Sequence, residues 1–357
     1  MSLVHRPRSP GPREQPGAAV RVALAFLLSL PCITGAASLL FSTSFLVEFL
    51  SRGSWRPLSA ITAEPGVRPL PAVTGGAASS PHPVAVDLYT RPTFRRPPAL
   101  VLVHGLSPSG KDESRLKEAA ALLARSGFAV AVPTVDGLTA LRLRPEDRDA
   151  VSATVRALRA AGYPRAAVLG ISLGAGPALL AASDPATADS LSAVLALGGY
   201  ASAVELLRYT LTGGYAFAGF TGREAVLDPA IAQFARANVD LVDEAGRRLV
   251  DNRDPARFDG LVEALPERTR SLLDALSPGR TVAGLRAPLF LIHGREDPAV
   301  PFTETLRLEA AARAAGRPVR TAIVGVIGHV DPGRRAGFAD LLRLWSVFHA
   351  FRRAAER

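Results

Sequence analysis

Beyond Pro83 the chain alternates between short continuous apolar runs and longer stretches in which apolar residues return every three or four positions. The first kind predicts strands buried on both faces, and the second predicts amphipathic helices that cover them. Residues 84–89 alternate as a strand. Residues 99–103, 128–132, 166–169, 193–197, 288–292 and 320–324 read as further strands. Helices are expected over 112–125, with Asp112 as cap and Gly127 as stop, and over 145–161, 175–183, 303–315 and 331–353. This order predicts an α/β fold, a mostly parallel sheet flanked by helices. Residues 201–283 interrupt the rhythm with mixed charge, helical pattern and an apolar patch over 209–220. An insertion between two strands, above their carboxyl ends, is expected to form a helical lid. Its patch either meets an apolar substrate group or packs the lid onto the body.

The amino-terminal pattern differs. After a polar tail, 1–21, residues 22–47 hold no charged side chain. As a helix these 26 residues would reach about 39 Å, enough to cross a hydrocarbon core of about 30 Å. A transmembrane helix or signal anchor is therefore expected there. Arg6, Arg8, Arg13 and Arg21 precede it, and Arg52, Arg56 and Arg68 follow. That bias favours a cytoplasmic amino terminus, and hence a single-pass membrane protein with its main domain extracytoplasmic. A cleaved signal peptide is the competing reading, with Gly35-Ala36-Ala37-Ser38 as its cleavage site. Its apolar core would be unusually long, because strong hydrophobicity resumes at Leu39. Residues 48–82, rich in proline and glycine, read as a tether to the main domain, 83–357. A short strand near 67–73 would be held to a sheet edge by Pro69 and Pro71.

Composition narrows the function classes. The net charge of +10 comes from 40 arginines and two lysines, Lys111 and Lys117, scattered along the chain. No basic stripe with interleaved aromatics marks a nucleic-acid face, so no nucleic-acid partner is expected. The single cysteine, Cys32, excludes an internal disulfide. No cluster has metal-ligand spacing, and neither metal nor cofactor is expected.

Chemistry concentrates at predicted strand ends, where open α/β sheets place their sites. Gly170-Ile171-Ser172-Leu173-Gly174 lies between a predicted strand and a predicted helix. A turn that tight needs residues almost without side chains on either side of the serine, and it thrusts the hydroxyl outward. His293-Gly294-Arg295-Glu296-Asp297-Pro298 puts a carboxylate just after a strand. Gly328-His329-Val330-Asp331 follows the last strand, and His104-Gly105-Leu106 ends an early one. Glu296 and Asp331 compete with Asp297, whose place at the head of a Pro-Ala-Val-Pro segment favours it. His293 is expected to pack, and His104 to shape its loop.

With these four motifs the chain resembles the α/β-hydrolase superfamily, and within it the dienelactone-hydrolase-like and serine-esterase-like group, from about Pro83 to the end. Dienelactone hydrolases proper have a cysteine where this sequence has Ser172. The resemblance implies Ser172 as nucleophile, Asp297 as triad acid and His329 as general base, in the Ser–Asp–His chain order of that fold. It implies an oxyanion hole from the backbone N–H groups of Leu106 and Leu173. The expected activity is cleavage of a small-molecule carboxylic ester through an acyl-enzyme. Thioesters, amides or peptides are alternatives on the same triad. A non-catalytic, small-molecule-binding relative would carry a broken triad, whereas all three residue types are present here.

Overall fold

The computed structural model describes residues 34–71, 83–92, 96–225, 237–238, 244–329 and 337–357. The chain divides into two units, 1–40 and 41–357. Of the first, only the opening of helix Thr34–Leu50 is described.

The second unit is built on an eight-stranded sheet. Its strands are β1 (Gly66–Pro69), β2 (Val86–Thr90), β3 (Ala99–Val103), β4 (Ala129–Pro133), β5 (Ala166–Ile171) and β6 (Leu191–Leu197). After a small hairpin of β7 (Gly214–Phe217) and β8 (Phe220–Arg223) it is completed by β9 (Leu289–Gly294) and β10 (Val319–Val324). The spatial order is β1-β2-β4-β3-β5-β6-β9-β10. β2 runs antiparallel to both β1 and β4, and β4, β3, β5, β6, β9 and β10 run parallel to one another. The central strands are apolar on both faces because helices cover both, and β3 and β4 are buried throughout. β1 lies at the edge with all four residues exposed, where Pro69 costs the ladder nothing.

Register aligns the strand ends. Val103 pairs with Gly170, Gly170 with Ala196, and Leu197 with Ile292. The loops after β3, β5, β6 and β9 therefore leave the sheet at one level. The order reverses at β3, which has β4 on one side and β5 on the other. Loops beside such a reversal diverge and leave a crevice.

Helices Ser114–Arg125 and Phe338–Ala355 pack against one sheet face. Asp147–Ala160, Ala175–Ser183 and Phe302–Ala314 pack against the other. The cap of Ser114–Arg125 is Glu113, whose carboxylate accepts from Leu116 N at 2.7 Å. Asp112, one residue earlier, ends a 3-10 helix and pairs with both lysines.

Residues 22–33 of the predicted membrane segment lie outside the described residues. Among the described residues no helix is long and apolar enough to cross a membrane. From Phe41 onward the apolar side chains of helix Thr34–Leu50 meet the carboxyl-terminal helix instead. Phe45 stacks on Phe348 with ring centroids 4.6 Å apart. Ser42 Oγ lies 3.1 Å from His349 Nδ1, and Trp345 Nε1 donates to Thr43 Oγ1 at 3.1 Å. Within 48–82, read as a tether, the helix Pro57–Ile61 and β1 are anchored by buried Leu58 and Leu70. Glu48 accepts from Leu58 N at 3.1 Å and Ser59 N at 2.9 Å, fixing the entry to that helix. Residues 72–82 lie outside the described residues.

The insertion 201–283 holds helices Ala203–Thr212, Glu244–Asp251, Pro255–Glu263 and Glu267–Ala275, together with the β7–β8 hairpin. Its apolar patch packs onto the body. Tyr209 is buried and its hydroxyl donates to Pro298 O at 3.1 Å. The rings of Tyr215 and Phe220 meet Phe302 edge-on at 6.3 and 5.3 Å. The Arg307 guanidinium covers Phe217 at 4.5 Å.

Candidate active site

β5 delivers Ser172 into a one-turn 3-10 helix, Ser172–Gly174, which runs on into helix Ala175–Ser183. Ser172 has φ +53°, a left-handed conformation rare for a residue with a Cβ. Space at the turn explains its glycines. A Cβ on Gly170 would stand 2.5 Å from the Cα of Ala175, and one on Gly174 would collide with the His104 carbonyl.

Three of the sequence-predicted residues meet in a chain of short hydrogen bonds. His329 Nε2 lies 2.7 Å from Ser172 Oγ, and His329 Nδ1 lies 2.6 Å from Asp297 Oδ2. With Nδ1–H donating to the carboxylate, Nε2 is left to accept from the serine hydroxyl. Asp297 is buried, whereas neighbouring Glu296 is exposed, and Asp331 lies outside the described residues. The other Asp297 oxygen accepts from Ala299 N at 2.8 Å and Val300 N at 3.0 Å. Burial alone would raise this carboxyl. Hydrogen bonds from His293 and His329 outweigh it and hold the pKa down at about 2. The carboxylate is thus ionised at any physiological pH.

His293 does more than pack. Its Nδ1 meets Thr305 Oγ1 at 2.6 Å, while Nε2 faces Val300 O at 2.9 Å and Asp297 Oδ2 at 3.3 Å. It ties the acid's loop to helix Phe302–Ala314. His104 fixes the loop after β3: Nδ1 donates to Gly105 O at 2.7 Å, and Nε2 accepts from Val135 N at 3.0 Å. Burial lowers its pKa, in keeping with a neutral ring that accepts at Nε2.

Leu106 and Leu173 both border the nucleophile. Gly105, just before Leu106, approaches so closely that a Cβ there would lie 3.3 Å from Ser172 Cβ. Leu173 is the second residue of a helical start, whose first N–H groups have no intrahelical partner. Gly198, with φ +62°, gives the histidine room: a Cβ there would lie 3.4 Å from Asp297 Oδ2 and 3.5 Å from His329 Nδ1.

Sequence reasoning missed Glu304. Its buried Oε2 accepts from Ala201 N at 3.0 Å and Ser202 N at 2.9 Å, pinning the first residues of the lid beside the acid's loop. Burial raises its pKa. The only signal was an acid in the first turn of a helix, which ordinarily marks a solvated helix start.

The triad opens onto a cavity of about 1360 Å³. Ser172, His329, Leu106 and Leu173 line one part of it, and Phe45 and Phe49 of the amino-terminal helix line another. Among the described residues no group of three His, Cys, Asp or Glu side chains converges as a metal site.

No family model matches the chain. Among solved structures it is similar to a puromycin-hydrolyzing peptidase of Mycobacterium tuberculosis, with 19% identity and a TM-score of 0.53, over 82% of this chain and 39% of that one. It is also similar to dipeptidyl peptidase 4 of Porphyromonas gingivalis, with 14% identity and a TM-score of 0.52, over 81% of this chain and 36% of that one. The chain spans less than half the length of either. The likeness shows the fold, and this chain has the α/β-hydrolase fold.

Proposed function

We propose that this protein is a serine hydrolase that cleaves carboxylic esters through an acyl-enzyme. The observation that carries the reading is the unbroken chain Ser172 Oγ, His329 and Asp297, with both hydrogen bonds under 3 Å. An unassisted serine hydroxyl is a weak nucleophile and needs a base within reach of its proton. Here His329 Nε2 takes that proton as Oγ forms a bond to the ester carbonyl carbon. Asp297 holds the ring in the tautomer that leaves Nε2 free to accept, and stabilises the imidazolium. The carbonyl oxygen, now negative, meets the N–H groups of Leu106 and Leu173, one such donor being worth about 3 kcal/mol. Collapse breaks the carbonyl carbon–alkoxy bond, and His329 returns the proton to the departing alcohol. Water then repeats the sequence on the acyl-enzyme and releases the acid and the serine.

A peptide or amide is the second reading, favoured by the names of the peptidases whose fold the chain shares. The ester reading is preferred because apolar side chains, Leu106, Leu173, Leu206, Ala299 and Val300 among them, outnumber hydroxyls such as Ser107 and Thr210 in the cavity that Ser172 lines. The same proposal retains the membrane as a partner, through the uncharged amino-terminal run, with the hydrolase unit on the extracytoplasmic side.

Short-chain aryl esters and amides and a fluorophosphonate probe test the reading. The natural chain should turn over the esters and label. Ser172→Ala should do neither, with turnover down at least about 10⁴-fold. Undiminished labelling of the variant would overturn the proposal, and amide turnover exceeding ester turnover would replace it with the second reading.

A further inference from the structure

The cavity at the triad is larger than the usual range of about 300–1,000 Å³ for a small-molecule site, and it extends from Leu206 and Thr210 of the insertion to the amino-terminal helix. Its floor explains an anomaly in the sheet. Central strands between two helical layers should bury their apolar side chains, yet Ile171 and Leu197, paired across β5 and β6, are both partly exposed. They form the last row of one sheet face, with Ile292 beside them and Ser172 next in sequence. What they face is the cavity.

From that row the lining continues under Leu344 and Phe348 of the carboxyl-terminal helix and along Ala119 and Leu122 of helix Ser114–Arg125. It is roofed at its far end by Phe45, Leu46 and Phe49 of the amino-terminal helix. Charged groups line the cavity as well: Glu48, Arg52 and Arg56 from the roof helix and the residues after it, and Glu113, Arg115, Glu118 and Arg125 from helix Ser114–Arg125 and its cap. Ile171, Leu197, Ile292, Leu344, Phe348, Ala119 and Leu122 give the cavity an apolar wall that links the triad to the roof. An apolar wall that runs from the serine to the amino-terminal helix suits an apolar occupant better than water.

We propose that this space is an acyl-chain channel and that the substrate class is a long-chain fatty acyl ester. The carbonyl sits at Ser172, and the chain lies over Ile171 and Leu197 and ends beneath the amino-terminal helix. The inference deepens the esterase reading and rests on it. It assigns that helix a role as the channel's roof, made from residues whose apolar pattern alone reads as membrane anchor.

The test is a chain-length series of p-nitrophenyl esters from two to sixteen carbons, assayed with the full chain. Each methylene buried in the channel should raise kcat/KM, by up to about fourfold. From four to twelve carbons the gain should exceed about a hundredfold, allowing for incomplete burial of each step. Ala119→Trp, which puts an indole into the channel from helix Ser114–Arg125, should lower kcat/KM for the twelve-carbon ester at least about tenfold more than for the four-carbon ester. Ala119→Leu should shift the profile less. A melting curve and the rate of fluorophosphonate labelling verify that each variant is folded. A second readout needs no turnover: Ser172→Ala should bind a fluorescent long-chain fatty acid, and Ala119→Trp in that background should weaken the binding. A profile that peaks at two to four carbons, with no fatty-acid binding by Ser172→Ala, would overturn the channel while leaving the esterase intact. Absence of turnover for every ester would instead overturn the reading beneath it, and fatty-acid binding would then decide the channel alone.

Discussion

Burial pushes up the pKa of two aspartates of this protein, and what each finds inside decides whether the rise survives. Asp297 meets two histidines and two backbone N–H groups, and its pKa falls to about 2. It therefore contributes stability that is complete above about pH 4 and is lost as pH falls toward 2, about 2 kcal/mol in all. Asp297→Asn should lower kcat on the order of 10³–10⁴-fold by favouring the wrong histidine tautomer. It should also flatten the stability curve below pH 4, which urea unfolding at pH 2.5 and 4.5 would measure. Asp147 is buried as deeply but meets only the N–H groups of Gly137 and Arg144, each at 3.0 Å. Burial dominates and its pKa rises to about 6. The folded protein then binds the proton more tightly than the unfolded chain, so this group's contribution is greatest below about pH 4 and is lost as pH rises through 6. Going from pH 4.5 to 7, the natural chain should lose about 2 kcal/mol relative to Asp147→Asn. Parallel curves for the two would exclude that. Ser172, Asp297 and His329 were legible because local turn chemistry marks them. Asp147, Glu304 and the double duty of His293 were not, since each depends on partners distant in sequence.

Among elements, the parallel strands and the turn at Ser172 were the easiest to read, because a strand buried on both faces leaves a continuous apolar run. The boundaries of β3 and of helix Ala175–Ser183 coincide with the apolar pattern. The β7–β8 hairpin was invisible: it is four residues a side, follows a helix directly, and gains its stability from Phe302 and Arg307 of another element. Glycine content separates the two kinds of constraint. Gly174 has helical φ and is required only because the His104 carbonyl occupies the place of its Cβ. Gly174→Ala should therefore destabilise by about 1–3 kcal/mol and displace the oxyanion loop with it, lowering kcat. Gly260, in helix Pro255–Glu263, has nothing within 4 Å of that place. Gly260→Ala should instead stabilise by about 0.5–1 kcal/mol and leave kcat unchanged. Thermal melts and steady-state rates on the pair would tell crowding from helix propensity; equal effects would refute the assignment.

For the whole molecule, the amino-terminal third is where pattern and packing part. An uncharged run of 26 residues carries no mark that tells a membrane interior from a protein interior, since both reward the same side chains. The fold divides that run at Phe41, after which its apolar residues belong to the second unit and face the carboxyl-terminal helix. Residues 22–40 still form an uncharged stretch that would reach about 28 Å as a helix, close to a hydrocarbon thickness of about 30 Å. Under the proposed attachment this shorter stretch is the part in the bilayer, and the acyl channel's roof begins just beyond it. Attachment and catalysis are then separable by mutation. Leu27→Arg with Leu28→Arg should cost above about 5 kcal/mol of insertion free energy and move the full chain from the carbonate-washed membrane pellet to the supernatant. Turnover of a soluble four-carbon ester should be unchanged, because neither residue lies in the hydrolase unit. A natural chain found wholly in the supernatant would end the membrane reading. The double variant losing ester turnover while still folded would show that the two units are coupled rather than separable.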